Sequence, residues 1–240
     1  MSDVRTYRGL SARQRLSERR ERILAASLDR FGAQGYSATT IETLCSDAKV
    51  STRGFYECFD SRESLLRALY EQIITAADER VKCALDGSDG TVPGLVRAGL
   101  AAYIGYMTDD ERRARISHVE VRRAGEPLHA ARRRAVYQFA DLVAAVAGDR
   151  AELTQLAGMA GLDVRRVAIG LVGAVQELII DWVHSSPRPA PEDVITTAEY
   201  LFLAAFHQRA AASTAPGASN VPVAPAAPAV RTAPAPGGPP

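Results

Sequence analysis

Apolar residues recur along most of the chain at the spacing of one helix face. Leu24, Leu28 and Phe31 follow the pattern i, i+4, i+7, and the same spacing returns in residues 92–108 and 191–210. No stretch alternates polar and apolar residues with the period of two that is typical of strands. The sequence therefore predicts an all-α fold. The predicted helices span residues 18–34, 40–47, 51–57, 61–84, 92–108, 110–120, 127–147, 163–185 and 191–210, with a further short helix near 150–159.

Three helix starts carry capping signals. Thr39, followed by Glu42 three residues later, has the spacing of a capping box. Asp163 is a candidate N-cap. Pro191 fits the first position of a helix, and the two acidic residues after it favour the positive end of the helix dipole.

Residues 39–59 have the spacing of a helix-turn-helix. Counted from Ile41 as position 1, apolar or small residues occupy positions 4, 5, 8, 10, 15 and 18. Position 5 is small because two helices that cross at about 90–120° after a short turn come close together there. Lys49 stands at position 9, where Gly is usual because the turn favours a left-handed backbone, so we expect some strain in this turn. The apolar and small positions are Leu44, Cys45, Ala48, Val50, Phe55 and Cys58.

The second helix of such a unit enters the major groove of DNA with its N-terminal residues at the base edges. Ser51, Thr52 and Arg53 stand at that end, and an Arg can donate to guanine through two hydrogen bonds. Tyr56 lies one turn further on, where its hydroxyl can reach a phosphate, and the residues that start the neighbouring helices suit phosphates as well. An apolar helix pair of purely structural role would share this spacing. The predicted DNA-contact residues are Thr40, Ser51, Thr52, Arg53, Tyr56 and Arg62.

A wider pattern favours the DNA-binding interpretation. Residues 23–66 contain the runs FGAQGYSATT, VSTRGFYECF and DSRESLL, before, across and after the second helix of the motif. Together these runs closely resemble the N-terminal domain of the TetR family of transcriptional regulators. The runs LVGAVQELIIDWV and PAPEDV, nearer the C-terminus, are more loosely similar to the helix pair with which that family dimerises.

The resemblance implies a two-domain, all-α homodimer, most simply a repressor that binds a near-palindromic double-stranded DNA operator. A small-molecule effector, whose identity the sequence does not give, would bind the C-terminal domain and release the DNA. The six DNA-contact residues above match the family's positions. Lys49 replaces the usual Gly, Cys58 stands where a polar residue is common, and the acidic Glu57 either points away from DNA or pairs with an Arg. The implied organisation is a basic disordered arm at 1–16, a helix-turn-helix domain at 17–62, an effector-binding and dimerisation domain at 63–211 and a disordered Ala/Pro tail at 212–240.

The predicted helix at 163–185 supports dimerisation independently, because it is apolar on two faces. A helix of this kind must bury both faces, one in its own domain and the other against a partner. Gly170 and Gly173 would allow close helix approach, and the last helix would complete a four-helix bundle between two subunits. The predicted dimer-interface residues are Leu171, Val175, Leu178, Trp182, Leu201 and Ala205.

An effector pocket needs apolar walls with a few polar groups. Aromatic and polar side chains on the predicted inner helices are the candidates, although ordinary core or surface packing explains each of them as well. The candidate ligand-binding residues are Tyr103, Tyr106, Met107, His118, Tyr137, Gln176 and Glu177.

Composition and charge narrow the remaining classes. Lys and Arg number 29 against 28 Asp and Glu, so the net charge of +1 indicates no particular partner. No uninterrupted apolar run approaches the roughly 18–20 residues that span a bilayer, and the polar, Arg-rich N-terminus has no apolar signal segment. We therefore expect a cytoplasmic protein without a membrane partner. The three cysteines lack CxxC spacing, which argues against a disulfide scaffold or a standard zinc finger.

An enzyme is not predicted. The chain contains no GxSxG, HExxH, P-loop or dinucleotide-binding motif, and its four His lack metal-ligand spacing. Glu177 and Asp181 share a helix face and form a possible acid–base pair, but they are more simply polar positions on a mostly buried helix. We expect no catalytic residue, no cofactor and no metal site.

Several segments keep two interpretations. The Arg-rich stretch 112–134 is a solvated helix face with Glu120 and Glu126 as partners, or else a second nucleic-acid or acidic-effector patch. The arm either reaches the DNA minor groove or adds only nonspecific attraction. Loss of DNA binding, or control by a protein partner instead of a ligand, remains an alternative function.

Overall fold

The computed structural model describes residues 11–148 and 163–207, and these residues form helices and no strand. The predicted short helix near 150–159 and the predicted tail at 212–240 lie outside the described residues. The remaining predicted helices are confirmed, with bounds within two or three residues except at the start of the first helix. The helices are α1 (Ala12–Gln34), α2 (Ile41–Ala48), α3 (Thr52–Tyr56), α4 (Arg62–Asp86), α5 (Val92–Thr108), α6 (Glu111–His118), a 3₁₀ turn (Glu120–Arg123), α7 (Glu126–Gly148), α8 (Val164–His184) and α9 (Pro191–His207).

Helix α1 begins six residues earlier than its apolar spacing predicts. Ser11 accepts a hydrogen bond from the Gln14 backbone N–H at 3.2 Å, and the Gln14 side chain accepts one from the Ser11 N–H at 2.7 Å. This capping box satisfies two N–H groups that the helix itself cannot. Residues 12–16, predicted to belong to a disordered arm, are therefore helical. Apolar spacing missed this turn because its polar residues have no core to face, whereas Arg and Gln are good helix formers.

The N-cap of α2 is Thr40, and the predicted capping box of Thr39 and Glu42 is wrong. The Thr40 side chain accepts from the Thr43 N–H at 3.2 Å. Thr39 is buried and donates its hydroxyl to the Gly35 carbonyl at 2.9 Å, so it fixes the preceding loop. Either of the two adjacent threonines could serve as the N-cap. Burial of Thr39 leaves Thr40 in that position. The predicted N-cap Asp163 is confirmed, since it accepts from the Arg165 N–H at 2.9 Å.

The turn of the helix-turn-helix requires the left-handed backbone that the sequence predicts. Lys49 has φ 53° and ψ 49°, and it is the only non-glycine with positive φ among the described residues. Its N–H donates to the Ser46 carbonyl at 3.2 Å, and the next N–H, of Val50, donates to Cys45 at 3.0 Å. The helix end is thus satisfied at the cost of a conformation that disfavours any residue with a Cβ.

We expect Lys49→Gly to raise the free energy of unfolding by up to about 1 kcal/mol, because glycine adopts this conformation without a Cβ clash. Urea unfolding with linear extrapolation measures the change. Lys49→Ala is the matched control, since it also removes the charge but keeps the Cβ, and it should give no gain. Equal stabilisation by both variants would assign the effect to charge.

The larger, C-terminal part of the chain is a bundle in which α4 packs on α5, α5 on α9, and α7 on α8. Helix α8 is long and apolar enough to cross a membrane by length and composition alone. Here it packs against α6, α7 and α9 instead. The count of uninterrupted apolar residues had not singled it out, because charged residues and Gln176 interrupt the helix.

Both apolar stripes of α8 are used within the chain itself. Leu171, Val175 and Trp182 are buried in the main core, and the Trp182 indole N–H donates to the Pro189 carbonyl at 3.0 Å. Their own domain already covers most of the surface of these three side chains, and their place in a dimer interface stays a prediction. Leu178 is half-buried against the same core, whereas Leu201 and Ala205 on α9 are exposed.

Candidate functional site

Helix α3 presents its N-terminal residues outward because its other face is anchored in the core. Phe55 is fully buried and packs against Phe59, with ring centroids 5.9 Å apart. The N-cap Ser51 accepts from the Gly54 N–H at 3.1 Å. Thr52 and Arg53 are left exposed, with 91% of the Arg53 side chain accessible.

Tyr56 lies one turn further along the same exposed side. It is 53% exposed, and its ring packs edge-on against Phe55 at 5.5 Å. The ring is therefore held in place while its surface stays open to solvent. Ser51, Thr52, Arg53 and Tyr56 thus share one surface, as the sequence predicts.

Glu57, the acidic residue beside this surface, is neutralised within the protein. Its carboxylate accepts from Arg19 on α1 and lies 3.3 Å from the Arg53 Nε. The hydrogen bond from Arg19 is the main cause that lowers the pKa of Glu57. Glu57 therefore pairs with an Arg, one of the two roles expected of it, and ties α3 to α1. Cys58 is half-buried, and burial raises the pKa of its thiol.

Thr40 and Arg62 take different roles. Thr40 is exposed at the start of α2, with its hydroxyl 3.1 Å from that of Thr43. The Arg62 guanidinium stacks on the Tyr36 ring, 4.4 Å from its centroid, and donates to the Thr39 carbonyl. It therefore braces the loop before α2, and only the exposed end of α4 remains for a phosphate at this position.

A buried carboxylate joins the C-terminal bundle to the N-terminal helices. Glu120, in the 3₁₀ turn after α6, is completely buried and accepts from the Tyr36 N–H at 2.8 Å. Its other oxygen lies 3.4 Å from Arg115 and 3.7 Å from Arg123. Gly35, with φ 86°, leaves the room that this carboxylate needs, because a Cβ there would lie 3.2 Å from it.

The contact between α1 and α6 reinforces this junction. Gly32 lies so close to Arg112 that a Cβ would stand 2.5 Å from its side chain. Arg112 also pairs with Asp29 on α1 and, at 2.7 Å, with Asp110. Movement of α6 must therefore displace α1 or break these contacts.

A cavity lies inside the C-terminal bundle, and about 120 Å³ of it is open to the centres of water-sized molecules. Helices α4, α5, α7, α8 and α9 supply its walls, and nearly all of the lining side chains are aliphatic or aromatic. Tyr103 and Gln176 are the lining residues with polar side chains. The Tyr103 hydroxyl lies 3.5 Å from the Nε2 of His118, which is buried behind it.

Residues 23–69, which include all of α2 and α3, match a family model described as bacterial regulatory proteins, tetR family. This match confirms the resemblance of the N-terminal part of the chain to the TetR family. Two curated proteins match longer stretches of the chain. The uncharacterized HTH-type transcriptional regulator YerO of Bacillus subtilis (strain 168) is 32% identical over 97 residues, which are 40% of this chain and 32% of YerO. The HTH-type transcriptional regulator HbdR of Aromatoleum sp. (strain CIB) is 29% identical over 83 residues, 35% of this chain and 36% of HbdR. The matched part of the chain thus spans about a third of the length of these curated relatives.

Solved structures extend the likeness in fold to most of the chain. The fatty acid degradation regulator FadR from Bacillus halodurans superposes with a TM-score of 0.66 at 14% identity, over 79% of this chain and 96% of that one. FadR from Bacillus subtilis, solved in complex with stearoyl-CoA, has a TM-score of 0.64 at 16% identity, over 78% and 97%. At such identities the likeness shows the fold alone, and it confirms the predicted all-α fold with an N-terminal helix-turn-helix and a helical C-terminal part.

The cavity includes two of the seven residues predicted to bind a ligand, Tyr103 and Gln176. His118 stands behind the wall. Met107 is fully buried core, and Tyr106 is buried beneath the guanidinium groups of Arg80 and Arg113.

The other two predicted ligand residues lie at the surface. Tyr137 is 40% exposed and packs against Arg165, whereas Glu177 pairs with Arg122 at 2.6 Å. Spacing along one helix does not tell whether such a residue faces a cavity or the solvent. A cavity forms only where several helices converge.

The Arg-rich stretch 112–134 contributes to structure as well as to surface. Arg112, Arg115 and Arg123 serve the junction with the N-terminal helices, and Arg122 ties the 3₁₀ turn to α8. Of the two predicted partners, Glu120 is central, while the exposed Glu126 lies 3.7 Å from His129. The sequence predicted Glu120 only as an ion-pair partner for part of this Arg-rich stretch. The one indication of its larger role was an acidic residue among many Arg residues.

Proposed function

We propose that the chain is a transcriptional repressor that binds a near-palindromic double-stranded DNA operator as a homodimer and is released by a small-molecule effector. One observation carries the proposal: within a TetR-family helix-turn-helix, α3 is anchored by Phe55 and exposes Thr52, Arg53 and Tyr56 on one surface. Major-groove recognition needs such polar side chains at the start of a helix. Such a repressor acts in the cytoplasm and needs no catalytic group.

A second copy of the chain is proposed to cover the exposed sides of α8 and α9. At Gly170 and Gly173, a Cβ would meet no atom within 4 Å, so a partner helix can approach closely. Tyr200 is 67% exposed and Leu201 36% exposed on α9. These four residues, rather than the buried stripes of α8, form the proposed interface. Two-fold symmetry would then place two α3 helices on equivalent half-sites.

The cavity is the proposed effector site. Ligand sites are concave and mostly apolar with a few polar groups, as this cavity is. A structural neighbour with stearoyl-CoA bound supports a small-molecule effector for this architecture.

Control of DNA binding is proposed to run from the cavity wall to α2 and α3. Tyr103 contacts His118 at the end of α6, and the adjoining 3₁₀ turn holds the Tyr36 N–H through Glu120. A ligand that displaces Tyr103 would shift α6 and the loop that Arg62 braces. Effector and operator would then prefer different conformations, so each would weaken binding of the other.

Fluorescence anisotropy with the DNA just upstream of the chain's own gene tests the proposal, with shuffled DNA as the control. We expect sequence-dependent binding of two protomers per site, with affinity that falls steeply as salt rises. Equal, weak binding to both DNAs at every salt concentration would count against an operator at that position. It would favour the alternative in which the helix-turn-helix serves only as a scaffold.

Tyr56→Phe should weaken binding to all DNA sequences alike, by about 0.5–1.5 kcal/mol, because it removes one hydroxyl donated to a phosphate. Anisotropy titrations on the operator and on single-base variants measure the effect. Tyr137→Phe is the matched control, since it removes a partly exposed hydroxyl on α7, outside the helix-turn-helix and the proposed interface, and should change nothing. A loss confined to one operator position would contradict the phosphate contact.

A further inference from the structure

The cavity inside the C-terminal bundle is elongated and has one polar end. Its lining follows α5 from Val92 to Tyr103, a distance of about 16 Å at 1.5 Å per residue. Tyr103 is the last lining residue on α5 and Gln176 the last on α8. The His118 ring lies 3.5 Å from the Tyr103 hydroxyl. The charge of Arg132 helps to lower the pKa of His118, and the same Arg132 donates a hydrogen bond to Gln176. Both polar lining residues are thus at the same end.

Gln176 is oriented to donate a hydrogen bond into the cavity. Its side chain is buried, and its carbonyl oxygen accepts from the Arg132 Nη2 at 2.9 Å. With the oxygen so engaged, the amide NH₂ has no partner within the part of the chain that the structure describes. An amide donor in the cavity wall without a protein partner is available to a ligand that supplies an acceptor.

Arg132 adds an uncompensated positive charge directly behind Gln176. It is half-buried and forms no ion pair with a carboxylate of the described residues, because nearby Glu177 is taken by Arg122 at 2.6 Å. Burial is the main cause that lowers the pKa of Arg132, in keeping with its half-buried position. His118 adds no opposing charge, since burial lowers its pKa to about 3 and keeps the ring neutral. The polar end therefore attracts a negatively charged or strongly polarised oxygen.

We propose that the cavity binds an unbranched acyl chain whose terminal carbonyl or carboxylate oxygen accepts a hydrogen bond from the Gln176 amide, with Arg132 behind it. The aliphatic walls along α5 bury the hydrocarbon. This proposal rests on the proposed role of the cavity as the effector site. A free fatty acid and an acyl thioester share this chemistry.

Isothermal titration calorimetry on the full chain, without DNA, tests the proposal with decanoate, decanoyl-CoA and 1-decanol. The alcohol has the same chain but no acyl oxygen. We expect at least one acyl compound to bind about tenfold or more tightly than decanol, as a charge-assisted hydrogen bond predicts. The better acyl compound identifies the source. Equal binding of all three compounds, or binding of neither acyl compound, would overturn the proposal.

Two variants locate the oxygen. Arg132→Met should bring the acyl compound to within about threefold of decanol, whereas Arg133→Met, at the exposed neighbouring position, should preserve the preference. A preference that survives Arg132→Met would overturn the proposed position of the oxygen.

A third variant, Gly99→Leu, tests whether the hydrocarbon lies in the cavity. The new side chain fills the cavity from α5, where a Cβ would meet only ordinary contacts at 3.5 and 3.9 Å, and it should abolish binding of all three compounds.

Operator binding by the same preparations, measured without ligand, separates the two proposals. DNA binding that persists while acyl binding fails would reject only the ligand class. Failure of the unmodified chain to bind the operator would instead count against its proposed function as a transcriptional regulator.

Discussion

Replacement of Glu120 by alanine should lower the free energy of unfolding by about 3 kcal/mol. The side chain is completely buried and supplies the acceptor for the Tyr36 N–H at 2.8 Å. Its removal leaves that N–H without a partner and Arg115 beside an empty space. The effect should be large because an unpaired buried group keeps its full desolvation cost.

Urea unfolding of Glu120→Ala and Glu120→Gln, followed by circular dichroism, measures this contribution. The glutamine variant keeps an acceptor for Tyr36 and should lose clearly less stability than the alanine variant. Glu126→Ala is the matched control, because 79% of the Glu126 side chain is exposed and its loss should cost under about 0.5 kcal/mol. Similar stability of the two alanine variants would show that Glu120 does not hold the junction.

Arg53→Ala should abolish discrimination at one base pair of each operator half-site, a loss of about 1–3 kcal/mol there. The side chain is 91% exposed at the start of α3, where a guanidinium can donate twice to guanine. Its removal should leave the fold intact, because Arg19 still neutralises Glu57. Preference at the other operator positions should therefore be unchanged.

Competition anisotropy against a panel of single-base operator variants measures this specificity. Arg53→Lys serves as the control for charge, since lysine keeps the charge but lacks the rigid planar pair of donors. It should recover part of the overall affinity and less of the lost discrimination than of the affinity. An unaltered base preference in Arg53→Ala would assign Arg53 to the phosphate backbone.

Local rules placed most of the N-terminal unit. The small Cys45 and the apolar Leu44 and Phe55 are buried as their positions predict. Lys49 adopts the left-handed turn in spite of its Cβ. These features depend on contacts within some 20 residues, so helical spacing and turn chemistry suffice to predict them.

Contacts between distant segments were beyond such rules. Arg62 satisfies the spacing of a phosphate contact, yet its guanidinium is used by Tyr36 and the Thr39 carbonyl. Tyr137 and Gln176 were equal candidates for a pocket, and only the packing of α7 on α8 put one at the surface and the other in the wall. The sequence does not show which distant group a polar side chain will contact.

The sequence by itself therefore determined the all-α fold, the helix-turn-helix and its resemblance to the TetR family, because each depends on short-range periodicity or on one continuous segment. Only the tertiary structure decided which faces of α8 are covered, where the cavity lies and that Glu120 joins the two parts of the chain. The apolar stripe through Leu171 and Val175 is equally consistent with a core or a partner. That choice depends on how the other helices converge, and burial free energy is summed over all of them at once.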